Sequence, residues 1–196
     1  MILTIHRGTH EIGGSCVEIC TDKAKILIDL GMPLDYDKHT TEEQTQIRSD
    51  AAEWCKGVDA LFLSHAHADH YGFLDLLTQD TPIYATEETF LMLALDGILG
   101  DDPTEHLEKH TLKSGQSCEV ADTKVTAYTV DHSAYGACAY LIECDGKRIL
   151  YSGDIRLHGV KGVLYRNLPK DVDYLLLEGT NVLRVKNNPT EREIEN

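Results

Sequence analysis

The segment LFLSHAHADHYG, residues 61–72, places four side chains that commonly bind metal ions within six positions: His65, His67, Asp69 and His70. Imidazole and carboxylate together suit zinc, manganese or iron. Four such groups exceed the three protein ligands of an ordinary catalytic zinc site. The spacing therefore predicts two ions sharing one short loop, roughly 3.5–4 Å apart. The alternative is a His-rich polar surface loop, although no low-complexity sequence flanks the segment.

Two further polar residues follow apolar runs later in the chain. His132 comes after KVTAYTV, and Asp154 ends RILYSGD. Alone, each is more typical of a cap or a turn residue. A two-metal site, however, needs a further histidine for one ion and a carboxylate between the ions. Because loops at strand ends carry sites on a rigid scaffold, we predict that both residues are ligands.

The scaffold for these residues is predicted from short apolar runs bounded by Gly, Asp or Pro, which are typical of strands. Asp145-Gly146 between two such runs indicates a two-residue hairpin turn. Strands mixed with helices predict an α/β fold. The predicted strands are 1–5, 16–20, 25–31, 60–65, 82–85, 124–130, 138–144, 148–154 and 173–179, and the predicted helices are 41–54, 70–77 and 86–99.

Composition restricts the class of protein. The net charge is −15, which argues against nonspecific binding of nucleic acid by these residues alone. No apolar run is long enough to span a bilayer, and the first residues lack the pattern of a signal peptide. The six cysteines contain no CxxC pair. They are expected to be reduced, buried thiols rather than disulfides, which favours a cytoplasmic protein.

The last residues, NNPTEREIEN, have the pattern of a helix start. Thr190 can cap the helix, Glu193 follows three residues later, and Pro189 precedes. The sequence stops before an apolar face has formed. Residues 1–196 are therefore expected to be the N-terminal portion of a single domain, with 190–196 beginning a helix that leads into a missing region.

The motifs together resemble a known family. HAHADH, then His132, then SGD resembles the metallo-β-lactamase fold superfamily of metal-dependent hydrolases. THEIGGSCVEI with ILIDLG, VDHSAYGACAYLIE with ILYSGDIRLHG, and VDYLLLEGT resemble the N-terminal part of the β-CASP, ribonuclease J-like branch. The resemblance implies a metallo-β-lactamase-like αββα sandwich. The sandwich is expected to be incomplete, because the second half and the β-CASP domain are absent.

The resemblance also implies what each ligand does. Two divalent cations are implied, zinc first and manganese or iron as alternatives, and a hydroxide activated by both would attack phosphorus. Asp69 would be the catalytic residue, both binding a cation and accepting a hydrogen bond from the nucleophile. The implied ligands are His65, His67 and His132 for the first ion, Asp69 and His70 for the second, and Asp154 between them.

Three further residues carry two interpretations each. Asp29 matches an acid that supports the ligand loop, residues 65–70, from behind, or it is a turn residue before Gly31. Glu178 matches an acid that supports a later histidine, or it is a surface acid at a strand end. His158 could replace a final histidine that has no match in this sequence, or it is a turn histidine.

The predicted function is that of a metal-dependent phosphodiesterase or ribonuclease of the β-CASP type. The alternatives are a hydrolase of a thioester, lactone or small phosphodiester on the same fold, or a truncated metal-binding module without turnover. RNA or another phosphodiester would bind with the help of a missing domain, and no membrane is involved. Exposed strand edges could also drive homo-oligomer formation.

Overall fold

Two β-sheets form the centre of the protein. The computed structural model describes residues 1–99, 102–157, 159 and 161–180. The strands of the first sheet are β1 (Ile2–Arg7), β2 (Cys16–Cys20), β3 (Lys25–Ile28), β4 (Ala60–Phe62), β5 (Ile83–Ala85) and β6 (Lys109–Thr111). They lie side by side in chain order, antiparallel from β1 to β3 and parallel from β3 to β6.

The strands of the second sheet are β7 (Ser117–Val120), β8 (Thr123–Thr129), β9 (Cys138–Cys144), β10 (Lys147–Tyr151) and β11 (Tyr174–Leu176). They lie in the order β11-β10-β9-β8-β7 and are antiparallel except for the parallel pair β10 and β11.

The helices are α1 (Thr41–Trp54), α2 (Ala68–Tyr71) and α3 (Glu87–Leu99), with 3-10 turns at Tyr36–Lys38, Leu74–Leu76 and Gly162–Asn167.

Apolar side chains from both sheets fill the space between them. Phe62 of the first sheet packs edge-on against Tyr140 of the second, with ring centroids 5.6 Å apart, and both side chains are buried. The other face of the first sheet packs against helices, through residues such as Leu61 and Leu93. In the described part of the chain, a smaller cluster of buried apolar side chains covers the outer face of the second sheet. The predicted α/β architecture, with two sheets packed face to face, is confirmed.

The predicted helix 70–77 is wrong. The structure has the four-residue helix α2, followed by a 3-10 turn at Leu74–Leu76. The helix stops because its carbonyl groups are used elsewhere. The carbonyl of Asp69 accepts from the Ser15 amide at 2.9 Å, and that of His70 accepts from the Leu30 amide at 2.8 Å.

Several strands end earlier than predicted, at the points where the chain turns toward the ligands. β3 ends at Ile28 rather than at 31, β4 at Phe62 rather than at 65, β10 at Tyr151 rather than at 154, and β11 at Leu176 rather than at 179. Asp29 after β3 has φ of 58° and Gly153 after β10 has φ of 56°, values that extended strands do not adopt. The turns therefore begin inside the apolar runs.

Other predictions have mixed outcomes. The helix at 41–54 and the strands at 16–20 and 138–144 are confirmed at both ends. The turn at Asp145-Gly146 is also confirmed, with φ of 49° and 68°. The short polar strands β6 and β7 were not predicted. Residues 190–196 lie outside the described residues.

All six cysteines are free thiols. Burial raises the pKa of Cys138 to about 12 and that of Cys55 to about 11. Among the described residues, no helix has the length and apolar character needed to cross a bilayer.

Gly31 allows the ligand loop to pack directly on the chain that follows β3. A Cβ atom at this position would lie 1.7 Å from the carbonyl oxygen of Asp69 and 2.8 Å from the amide nitrogen of Ser15. Both neighbours are backbone atoms, and they are held by their own hydrogen bond. The close contact leaves no room for a side chain at position 31.

We predict that Gly31→Ala lowers the free energy of unfolding by about 1–3 kcal/mol or more, because the backbone must move to accept the methyl group. Thermal unfolding followed by circular dichroism measures the effect. Gly179→Ala is the matched control, since its Cβ would meet nothing within 4 Å, and it should change stability by no more than about 0.5 kcal/mol. Equal melting temperatures for the two variants would contradict the packing described for Gly31.

Candidate metal centre

Three loops at the ends of strands from both sheets bring the predicted ligands together. The loop after β4 carries His65 and His67 and leads into α2, which carries His70. His132 lies between β8 and β9, and Asp154 follows β10. His65 and His70 are buried, whereas His67 and His132 are partly exposed. The site is therefore open on one side.

Three imidazoles converge on one point. The distance from His65 Nε2 to His67 Nδ1 is 3.1 Å, and the distance from His132 Nε2 to the same Nδ1 is 3.2 Å. Tetrahedral ligands at 2.0–2.1 Å from a zinc ion would be separated by about 3.3 Å. The observed spacing is close to that value, so His65, His67 and His132 fit a shared cation.

A second group adjoins the first. His65, His70 and Asp154 each offer a ligand atom, and these atoms lie within 4.8 Å of one another. His70 Nε2 is 3.4 Å from Asp154 Oδ1 and 3.8 Å from Asp69 Oδ2. The other oxygen of Asp154, Oδ2, is 3.7 Å from His132 Nε2. The two oxygens of Asp154 therefore face one histidine from each group.

The buried carboxylate of Asp29 accepts hydrogen bonds from four donors. The amide of Ser64 donates to Oδ1 at 2.7 Å. The hydroxyls of Ser64 and Tyr151 donate to Oδ2 at 2.8 and 2.6 Å, and His70 Nδ1 lies 2.7 Å from the same oxygen. A carboxylate can only accept, so Nδ1 of His70 carries the proton. This leaves Nε2 of His70 facing Asp154.

Asp29 also orients His65, through Ser64. The Ser64 hydroxyl hydrogen is used on Asp29, so its oxygen accepts from His65 Nδ1 at 3.0 Å. Nε2 of His65 is then the unprotonated nitrogen that faces His67. Such outer hydrogen bonds are the usual means by which proteins fix the tautomer of a metal-binding histidine. The contacts agree with the bracing interpretation of Asp29.

Burial and neighbouring charges set the pKa values of the site. Burial, with smaller contributions from the other histidines, holds the pKa of His65 far below its usual range. Burial also lowers the pKa of His132. Both therefore remain neutral, the form that binds metals.

His70 behaves differently from the other buried histidine. Burial alone would lower its pKa, but the carboxylates of Asp29 and Asp154 outweigh burial and raise it to about 10. For Asp154, burial would raise the pKa, but the hydrogen bond and charge of His70 lower it. These carboxylates favour a positive charge at Nε2 of His70, whether a proton or a metal ion.

Two contacts of the site were not predicted from the sequence. The Tyr151 hydroxyl bonds to Asp29, and buried Asp131 holds the segment after Asp154. The Asp131 carboxylate accepts from the Arg156 guanidinium at 3.1 Å and from the Lys161 amide at 3.0 Å. The one feature of the sequence that points to Asp131 is its position next to His132. Nothing in the sequence points to Tyr151, because its hydrogen-bond partner Asp29 is 122 residues away.

Two further predicted residues have different positions. Glu178 lies beside the centre, on the wall of a cavity of about 400 Å³ that Asp69, His70 and Asp154 also line. Its carboxylate accepts from the Thr180 amide at 2.9 Å. His158 lies outside the described residues.

This chain is similar in sequence to one protein family and to several known proteins. The family described as Beta-lactamase superfamily domain matches residues 26–186. An RNase J-like protein from Methanocaldococcus jannaschii is 31% identical over 100% of this chain and 46% of its own length. A probable RNase from the same organism is 29% identical over 87% of this chain and 43% of its own length.

Among solved structures, a protein of unknown function from Enterococcus faecalis superposes with a TM-score of 0.80 at 26% identity. The match covers 96% of this chain and 52% of that protein. The chain thus spans about half the length of each of these three relatives. Several of the relatives that this chain matches are named as ribonucleases or as ribonuclease-like proteins. The family match covers most of this chain and shows that the chain belongs to the beta-lactamase superfamily, and the relatives that it matches are of the β-CASP type.

Proposed function

We propose that this chain carries the metal centre of a phosphodiesterase, with RNA as the substrate class. The observation that supports this proposal is the pair of adjoining ligand groups, which share His65 and are connected by the two oxygens of Asp154. Two donor groups side by side are the arrangement expected for in-line displacement at phosphorus. Relatives named as ribonucleases favour RNA over thioesters or lactones.

The residues fit two divalent cations, and zinc is the ion we propose. Neutral imidazoles and carboxylates form the donor set, and the three imidazole nitrogens are spaced as tetrahedral coordination requires. When bound, two such cations lower the pKa of a water molecule toward about 7 and withdraw charge from a phosphoryl oxygen. We propose His65, His67 and His132 for the first ion, Asp69 and His70 for the second, and Asp154 for both.

The protein's own groups then orient the reacting atoms. Asp69 lines the cavity of about 400 Å³ and its side chain is partly exposed, so a water molecule and a substrate can both reach its carboxylate. We propose that this carboxylate accepts a hydrogen bond from the attacking water and holds its lone pair toward phosphorus. His70 and Asp154 form the adjoining wall, and Asp29 keeps His70 in place.

The proposal also covers how RNA is bound, the compartment of the protein and its oligomeric state. The excess of acids leaves these residues with little attraction for a phosphate chain, so further contacts to RNA would come from other parts of the protein. The free cysteines fit a reducing compartment, and we propose the cytoplasm. Assembly into a homo-oligomer remains a prediction.

We predict that the chain binds two zinc ions and that Asp154→Asn binds fewer, because an amide oxygen carries no charge to join two cations. Elemental analysis after dialysis against zinc gives the stoichiometry. Asp37→Asn is the control, since this exposed aspartate lies in the 3-10 turn Tyr36–Lys38 and belongs to neither ligand group, and the variant should bind two zinc ions. Full stoichiometry in Asp154→Asn would refute the bridging assignment.

We predict that Asp29→Asn weakens zinc binding about 10- to 100-fold, because an amide cannot accept from all the donors that surround Asp29. His70 and His65 would then lose their fixed tautomers. Competition with a fluorescent chelator measures the affinity, and thermal unfolding without zinc separates folding from binding. A folded Asp29→Asn protein with unchanged zinc affinity would show that Asp29 does not orient the ligands.

We predict that the zinc- or manganese-loaded chain cleaves labelled RNA and bis(p-nitrophenyl) phosphate but not thioesters or lactones. A chelator or His132→Ala should reduce the rate roughly 100-fold or more, because the chelator removes the cations and the substitution removes one of the side chains that would hold them. His39→Ala, a histidine near the start of α1 and outside the centre, should retain full activity. Hydrolysis of thioesters or lactones alone would favour another hydrolase on this fold, and metal uptake without any turnover would favour a binding module.

A further inference from the structure

A second cavity adjoins the metal centre at His132. It has a volume of about 240 Å³ and is lined by the turn that follows His132, by the start of α3 and by Lys161. Two of its lining side chains, Tyr135 and Lys161, are exposed. Neither belongs to the ligand groups. The cavity shares no lining residue with the one that Asp69 lines, so the two cavities are separate.

The turn that carries Tyr135 is held in place at both ends. The Val130 amide donates to the Ala137 carbonyl at 3.0 Å, which closes the loop between β8 and β9. The carbonyl of Gly136 accepts from the Thr86 hydroxyl at 2.8 Å and from the Thr89 hydroxyl at 3.3 Å. The position of Tyr135 relative to His132 is therefore well defined.

Gly136 allows this close packing. It has φ of 83°, and a Cβ atom there would lie 2.6 Å from the Thr86 hydroxyl oxygen and 2.8 Å from the Thr89 amide nitrogen. Only glycine satisfies both the backbone angle and the space. The backbone next to Tyr135 is thus rigid, although the tyrosine ring itself points to solvent.

The ring of Tyr135 has no hydrogen-bonding or ring-stacking role that can be seen in the described part of the protein. It is 56% exposed, and it makes no hydrogen bond or ring contact with any described residue. A large aromatic ring fixed on a rigid turn beside a metal ligand is suited to stacking against a flat ligand, because little entropy is lost on binding. Every nucleobase presents such a flat face.

Lys161 supplies a positive charge to the same cavity. Its backbone amide donates to Asp131, and within the described residues its ammonium group has no ion-pair partner. Asp131 also lines the cavity, but its carboxylate is taken by Arg156 and by that amide. Glu88 is the other lining carboxylate. Lys161 is thus the cationic side chain available to a phosphate oxygen at this position.

We propose that Tyr135 and Lys161 form a nucleotide subsite beside the metal centre. Tyr135 stacks against one base, and Lys161 pairs with a backbone phosphate. The inference rests on the proposed phosphodiesterase function and narrows its substrate to single-stranded nucleic acid, because a base within a duplex is already stacked on its neighbours. The subsite would set the position of the strand relative to the scissile phosphate.

The test combines removal of the ring with removal of the base. Cleavage of a short single-stranded RNA is compared with cleavage of the same RNA carrying abasic nucleotides around the cleavage point. Tyr135→Ala should raise KM for the intact RNA about 5- to 100-fold and leave KM for the abasic RNA unchanged. Tyr135→Phe, which keeps the ring, should stay within about twofold of the original protein. Tyr174→Ala, an exposed tyrosine on β11, is the matched control and should change neither KM.

Lys161→Gln should raise KM for both RNAs and reduce the salt dependence of binding, because a phosphate contact is independent of the base. Equal effects of Tyr135→Ala on intact and abasic RNA, or no effect on either, would overturn the stacking subsite while leaving RNA cleavage established. Absence of RNA cleavage by the original protein, with thioester or lactone hydrolysis instead, would overturn the proposed function and the subsite with it.

Discussion

The carboxylate of Asp29 is the group on which the arrangement of the metal centre depends. It is fully buried at the end of β3, where φ of 58° turns its side chain under the ligand loop. Its oxygens fix the ring of His70 directly and that of His65 through Ser64. A buried carboxylate is costly unless every lone pair finds a donor, and here the loop itself supplies donors. The ligand loop and its brace therefore stabilise each other.

The two sheets contribute different parts of the centre. The first sheet supplies the ligand loop and Asp29, and the second supplies His132, Asp154 and Tyr151, whose hydroxyl bonds to Asp29. The sheets are joined near the site by the Cys138 amide, which donates to the Ser64 carbonyl at 3.0 Å, and by the Tyr140 hydroxyl, which donates to the Leu63 carbonyl at 2.8 Å. Correct packing of the sheets is thus a condition for convergence of the ligands.

The sequence was most informative where the chemistry is local. HAHADH could be proposed as a ligand loop because its residues are adjacent. The helix predicted at 41–54 is confirmed, and its start is fixed by a local capping box between Thr40 and Glu43. The prediction of a helix at 70–77 failed because the carbonyls of Asp69 and His70 bond to loops far away in sequence. Such partners leave no periodic pattern.

The same reasoning explains what was missed around the site. Asp29 could be read from the sequence as a turn residue or as a brace, and only its contacts to Ser64, His70 and Tyr151 favour the second interpretation. Asp131 and Tyr151 were not predicted, because a buried hydrogen bond between distant residues cannot be found from spacing. Short strands such as β6 and β7 lack the apolar run that would have identified them.

The central claim is that side chains from three loops hold two cations in orientations fixed by Asp29. The most direct measurement is an anomalous diffraction map, recorded at the zinc absorption edge, from crystals of the zinc-loaded chain. The account predicts two peaks roughly 3.5–4 Å apart, one bound by His65 Nε2, His67 Nδ1 and His132 Nε2, the other by His70 Nε2, with Asp154 between them. A single peak, peaks away from these residues, or His70 bound through Nδ1 would contradict it.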